Sequence, residues 1–298
     1  MRGLIVRRLS GLWLVIATAV MAVGLCGAVA RAAGPEVLVA GDAHGLAFAR
    51  GQAGSHGPAS HVQLLFHNGA IMTSASVQAI FWGKSWSNST FAGDKISGLT
   101  SFYHDIGGSK YIATNTEYTG TNGQVTTAVT NGAVMTDLNS AGSKDPGTSG
   151  VLAEVARTIT DPVANGYYPV YTDIPRGSAG YCAWHSYGTI GATPVQFAFF
   201  FNLDGDAGCD PQSTVTGHSQ GLAALANVSG HELSEALTDP RNGGWYDRQG
   251  AENADKCAWT FNGDESFNGS TWHIQGNWSN RANTANTGYT RGGCINGN

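Results

Sequence analysis

The chain has 298 residues, 16 of them basic and 21 acidic, and its 12% charged content is about half the usual share for globular domains. A net charge of -5, with no basic face visible, argues against a nucleic-acid partner. The 42 glycines, with abundant Ser, Thr and Asn, argue against a bundle of long helices and predict short strands joined by many turns.

In chain order, the first predicted element is an export signal. Arg2, Arg7 and Arg8 precede an uncharged run over 12–29, and Ala30-Arg31-Ala32 has the small-x-small pattern of a signal peptidase site. Residues 1–32 are therefore read as a signal peptide, with cleavage after Ala32. The run is also about long enough to span a bilayer, but its Ala and Gly content and the cleavage motif at its end set an anchor aside. No second stretch of the sequence is long and apolar enough to cross a membrane, so no membrane association is expected after cleavage. The expected location is secreted, extracellular or in the cell envelope. Removing the four arginines of 1–32 (Arg2, Arg7, Arg8 and Arg31) leaves 12 basic against 21 acidic residues in a 266-residue body. That length suits one large core better than two small ones.

Residues 33–60 hold Gly, Ala, Pro and His without an apolar period, which predicts a flexible leader. The globular domain is expected over 61–298. Its predicted strands are 62–66, 76–82, 111–118, 168–174 and 195–202; the last, with Phe197, Phe199, Phe200 and Phe201, reads as interior. Helical spacing appears over 88–106, 149–160 and 221–238, the third closed by Asp239-Pro240. The remainder is turn-rich and carries Trp245, Trp259, Trp272 and Trp278, which suit either sugar stacking or a core. The expected class is α/β or α+β: a single domain with a mixed sheet, about three helices and a turn-rich, disulfide-bonded C-terminal region.

Cys182, Cys209, Cys257 and Cys294 remain after cleavage, an even count that reads as two disulfides in an exported chain. Three pairings are open. The favoured one is sequential, Cys182 with Cys209 and Cys257 with Cys294, because it closes two local loops without crossing.

The densest chemistry lies between Gly230 and Cys257. On a helix, His231 and Glu235 are one turn apart and share a face, as the first two ligands of zinc peptidases do. Glu232 follows the first ligand, where a general base must reach water. The third ligand is expected downstream, from Glu252 or Asp255. A carboxylate in the second helical position cancels metal charge and makes hydroxide harder to form. Such a set suits Zn²⁺, with Ca²⁺ as the alternative. A plainer reading makes Ser229-Gly230-His231-Glu232 a capping box, in which Glu232 bonds back to the Ser229 backbone. A competing motif, Gly217-His218-Ser219-Gln220-Gly221, matches the Gly-x-Ser-x-Gly elbow of serine hydrolases. The polar, proline-containing stretch before it does not read as the strand that an elbow needs. His61, His67, His104, His185 and His273 are scattered singly and read as structural, with His185 near Cys182 able to line a site.

Several short pieces, in order, carry a resemblance. They are His67-Asn68-Gly69-Ala70 leading to Ile80-Phe81-Trp82-Gly83-Lys84; Gly180-Tyr181-Cys182-Ala183-Trp184-His185; and Gln196-Phe197-Ala198-Phe199. Then come His231-Glu232-Leu233-Ser234-Glu235 with Thr238-Asp239-Pro240, Trp245-Tyr246, and Glu252 through Cys257. Across roughly residues 62–294 the chain resembles the EXORDIUM or phosphate-induced protein family, secreted proteins of plants with bacterial relatives. The resemblance implies an extracellular location linked to the cell wall and growth, and says less about a reaction. The function expected from the residues is metal-dependent hydrolysis of peptide or amide bonds through His231, Glu232 and Glu235. The alternative is a non-catalytic wall-polysaccharide binder with structural Ca²⁺, and a second alternative is a serine hydrolase using Ser219. The expected partner is an extracellular peptide or a cell-wall polymer.

Overall fold

Strand 195–202 reads as apolar on both sides, and such a strand needs cover on both faces. The computed structural model, which describes residues 38–52, 61–213 and 217–297, provides that cover. The expected signal peptide lies outside the described residues. All described residues belong to one unit, Glu36–Asn298.

The centre of the fold is a nine-stranded mixed sheet. Its strands are β1 (Leu38–Ala40), β2 (His44–Phe48), β3 (Ala75–Val77), β4 (Ile80–Trp82), β5 (Val129–Asn131), β6 (Met135–Asp137), β7 (Gly166–Pro175), β8 (Tyr181–Ile190) and β9 (Thr193–Asn202). β8 and β9 form an antiparallel hairpin, with Ala183 opposite Phe200 and His185 opposite Ala198. β9 runs parallel to β7, which runs parallel to β3 and β4; these in turn pair with β5 and β6. β1 and β2 pair antiparallel with the outer side of β8.

Three helices of a dozen residues or more are described: α1 (Lys95–Ile106), α2 (Gly147–Thr158) and α3 (Gln220–Thr238). Side-chain contacts sort them between the faces. Trp184 and Phe199 stack on one face, and Trp184 Nε1 donates to Asp145 just before α2. On the other, Tyr171 stacks on Phe200, and its hydroxyl lies 2.6 Å from Ser229 Oγ of α3 and 2.8 Å from Tyr103 OH of α1. The result is a mixed α/β fold in which Phe197, Phe199, Phe200 and Phe201 are all buried.

Helix α3 positions the site. Ser219 caps it by accepting from Leu222 N at 3.1 Å, and Pro240 prevents its continuation. Every residue from Gly221 to Thr238 is buried, the polar Ser229, His231, Glu232, Ser234 and Glu235 included. The sheet covers one side, and the C-terminal region covers others through Gln275 N donating to Asn227 Oδ1 and Asn277 Nδ2 to Ser234 Oγ. Cys182–Cys209 and Cys257–Cys294 are both bonded, the sequential pairing. Trp272 and Trp278 are core residues, Trp245 stacks on Phe66, and Trp259 lies under Arg50. No helix among the described residues is long and apolar enough to cross a membrane.

Three expectations are corrected. Residues 38–48 of the expected leader form β1 and β2, because β8 supplies a ladder that their composition does not announce; residues 33–37 and 53–60 lie outside the described residues. Residues 111–118 are helical: Ser109 caps a short helix over Lys110–Ala113, and a 3₁₀ turn continues over Thr114–Glu117. The strand β8 has no counterpart among the expected elements.

The capping box at Ser229 is also overturned. The helix already runs from Gln220, so Ser229 is interior and bonded to Tyr171 OH. Ser219 is occupied as a cap, with its Oγ donating to Asp94 Oδ1 at 2.5 Å, while His218 Nε2 faces the Thr271 carbonyl. Ser219 Oγ is thus engaged by a carboxylate and a helix N–H, and no histidine reaches it among the described residues. Ser219→Ala is expected to cost about 1 kcal/mol, the usual worth of a cap, and to leave any hydrolytic activity essentially intact. Urea unfolding with a parallel activity assay checks this. A loss of orders of magnitude in activity, with folding intact, would revive the serine reading.

Candidate metal centre

Four elements converge on one buried point. Helix α3 contributes His231 and Glu235 one turn apart, with Glu232 beside them. Strand β8 contributes His185 from the face that α3 covers. The loop after α3 contributes Glu252 and Asp255, and β2 contributes His44.

The loop is rigidly organised. Asp247 Oδ1 accepts from Gln249 N and Ala251 N, and its Oδ2 pairs with Lys256 Nζ at 3.0 Å, both side chains fully buried. Glu252 N donates to Asp255 Oδ2 at 3.1 Å, and Asp255 N donates to Glu235 Oε1 at 2.9 Å. The disulfide at Cys257 ties down the end of the loop. Upstream, Asp239 closes α3 by accepting from Gly243 N and Gly244 N, both at 2.7 Å.

Three overlapping groups have ligand atoms within 4.8 Å of one another: His231–Glu235–Asp255, His185–Glu232–Glu235 and His44–His185–Glu252. His231 Nε2 lies 3.2 Å from Glu235 Oε1 and 3.5 Å from Asp255 Oδ1. His185 Nε2 lies 3.7 Å from Glu235 Oε2 and 3.4 Å from Glu252 Oε2. Glu235 thus joins the first two groups, and His185 the last two. Of the two expected third ligands, Asp255 reaches the His231–Glu235 pair, whereas Glu252 sits with His44 and His185.

A cation fits this arrangement because of what the polar atoms lack. His231 Nε2, both nitrogens of His185, His44 Nε2, and one oxygen each of Glu232, Glu235 and Glu252 are buried without a hydrogen-bond partner among the described residues. An unpaired buried polar atom costs about 1–3 kcal/mol, and here several converge. Every group contains an imidazole, which suits zinc-like ions better than the all-oxygen shells of calcium. The buried His/Glu groups can therefore hold a metal ion. The candidate ligands are also oriented from behind, since Asp255 N holds Glu235 and Glu252 N holds Asp255. Gln275 Nε2 is shared between Ala254 O at 2.9 Å and His231 Nδ1 at 3.0 Å, so a neutral His231 carries its proton on Nε2. An ion held at Nε2 would leave the His231 proton on Nδ1, facing a Gln275 amide that would have to turn from its present bonds to Ala254 O and Trp259 N to accept it.

The electrostatics point the same way. Burial pushes the Glu232 and Glu235 carboxyls well above their ordinary 4.5, and Glu252 above it too. Burial and the nearby Glu252 push Asp239 up to about 6. Burial pulls His185 well below 6.5, and His44, with ring centroids 4.1 Å away, lowers it further. Burial also lowers His231, but Glu235 and Asp255 outweigh it and raise the group well above 6.5. A divalent ion would relieve the crowding of carboxylates that these shifts express.

Access is narrow. His185, Glu232 and Glu235 have no exposed side-chain surface, while the His44 side chain is 13% exposed. Strand β2 covers the centre there. His185 and His44 extend the set expected from the sequence. A strand reading of 181–190 would have aimed His185 at α3; nothing in the sequence around His44 marks it. Compared with family models, curated proteins and solved structures, the chain matches none.

Proposed function

We propose that this protein is an exported, EXORDIUM-like, zinc-dependent hydrolase of peptide or amide bonds, with its ion held by His231, Glu235 and Asp255. One observation carries the reading: buried imidazole and carboxylate atoms without partners converge around a helix whose His231, Glu232 and Glu235 have the spacing of a metallohydrolase. Zn²⁺ bound there supplies a Lewis acid that polarises the substrate carbonyl and acidifies water.

The remaining work falls to side chains. Glu232 Oε2, which has no partner among the described residues, takes a proton from the attacking water as its oxygen bonds to the carbonyl carbon. The same carboxyl then hands that proton to the leaving nitrogen as the C–N bond breaks, giving a carboxylic acid and an amine. His185, kept neutral by burial, can hold a proton toward the developing oxyanion.

A second reading, an ion that only stabilises an extracellular binding protein, draws support from the complete burial of Glu232. Hydrolysis separates the two. A chelator should abolish cleavage of labelled casein by the zinc-loaded chain, and one equivalent of Zn²⁺ should restore it. Bound metal without cleavage, even after β2 is displaced, would favour the stabilising ion.

A further inference from the structure

The strand over the centre touches the cluster at three points. His44 Nδ1 lies 3.1 Å from Glu252 Oε1. Gly45, at φ +52°, leaves empty the place where a Cβ would lie 2.1 Å from His185 Nε2 and 2.4 Å from Glu235 Oε2. Ala47 N donates to Glu232 Oε1 at 3.3 Å, and so engages the residue given the proton-transfer role.

Beyond the centre the segment is fastened by a different set of contacts. Trp259 Nε1 donates to Phe48 O at 2.8 Å, Ala49 N to Gly180 O at 2.9 Å and Arg50 N to Gly208 O at 2.6 Å. The Arg50 guanidinium donates to Asp210 O and lies 4.8 Å over the Trp259 ring. Among the described residues of the sheet, β1 and β2 pair with β8 alone. They can therefore leave without breaking another ladder. The bared edge of β8 would then offer its N–H and C=O groups to an extended chain.

We propose that residues 38–50 are an inhibitory strap that occupies the place of an extended peptide along β8, making the protein a latent hydrolase until the strap is displaced. This rests on the hydrolase reading above and adds to it a substrate class and a means of control. The substrate is an extended polypeptide that adds antiparallel to β8 and meets Glu232 where Ala47 now sits. The control is competition between that polypeptide and the strap. Gly45 is what allows the strap its close approach, since any side chain there collides with His185 and Glu235.

Gly45→Val should therefore lift the strap, and His44 with it, while leaving His185, His231, Glu232, Glu235, Glu252 and Asp255 in place. Arg50→Ala should loosen its far end without touching the centre. Each full-length chain is loaded with Zn²⁺, and two rates are measured: zinc transfer to a colorimetric chelator, and cleavage of labelled casein. With the strap lifted, both are expected to rise by about tenfold or more, because the accessible fraction of the protein rises. Arg50→Ala should move both in the same direction by less, and it decides the matter alone if Gly45→Val does not fold. A synthetic peptide of residues 38–50, added in excess to Gly45→Val, should return both rates toward the parent. The proposal is overturned if the folded, zinc-loaded variants stay within about twofold of the parent in both rates. It is also overturned if Gly45→Val loses zinc that the parent keeps, since the strap is then a wall of the ion site. A parent that binds no Zn²⁺ instead sinks the hydrolase reading itself.

Discussion

Removing the metal should destabilise the protein by several kcal/mol, and the loss should grow as the pH rises. An ion present at about a thousand times its Kd adds about 4 kcal/mol to the folded state. Without it, the centre returns to its own electrostatics. Glu232, Glu235 and Glu252 have folded pKa values raised above 4.5, and Asp239 is raised to about 6. Groups raised on folding contribute stability that is fully present below their unfolded pKa and lost as pH climbs through the folded one. His231 and His44, raised above 6.5, act in the same sense. His185, lowered on folding, acts in the opposite sense below about pH 6.5 and falls silent above it. The chelated protein should thus lose stability from about pH 4.5 upward, with nothing from this cluster opposing the loss above about 6.5. Thermal melts across pH 5 to 8, with and without chelator, read this out. Melting curves that coincide at every pH would contradict a bound ion.

Glu232→Gln and His231→Ala should fail in different ways. His231→Ala removes a ligand, so metal and the stability it adds should both be lost. Glu232→Gln keeps shape and size, and its Oε1 can still accept from Ala47 N. Metal should therefore stay, while casein cleavage should fall by about 10²-fold or more, the usual worth of a general base. Elemental analysis and activity are measured on the parent and both variants. If Glu232→Gln loses its metal, Glu232 is a ligand, in the His185–Glu232–Glu235 group, and the proton-transfer role is wrong. If it keeps both metal and activity, Glu232 does no chemistry.

The parts of this architecture that are legible in the sequence are those set by local pattern. Helix α3 is expected over 221–238 and found from Gln220, because apolar spacing and the Asp239-Pro240 stop agree; the Ser219 cap emerges only in the structure. Strand β9 follows from its phenylalanine run. Residues 111–118 mislead because Tyr, Ile and Thr favour strands, yet the Ser109 cap begins a helical turn and tertiary packing prevails. Strand β8 mixes Cys, His, Ser and Gly among its aromatics, and its identity comes from pairing with β9 on one side and with β1 and β2 on the other. The site divides along the same line. His231 and Glu235 are written in one helical turn. Asp255 joins them only through its loop, and the sequence gives no means of choosing it over Glu252. His185 and His44 are brought in by sheet pairing, which no local spacing encodes.

Whether the buried cluster holds a metal ion is decided by counting metal per chain. Protein purified without chelators is offered Zn²⁺, Mn²⁺ and Ca²⁺ in turn, dialysed and analysed by plasma mass spectrometry, alongside a His231→Ala, Glu235→Ala double variant. The parent should retain about one ion per chain, with Zn²⁺ held most tightly, and the double variant should retain none. A parent that holds none of the three ions near that stoichiometry would contradict the account.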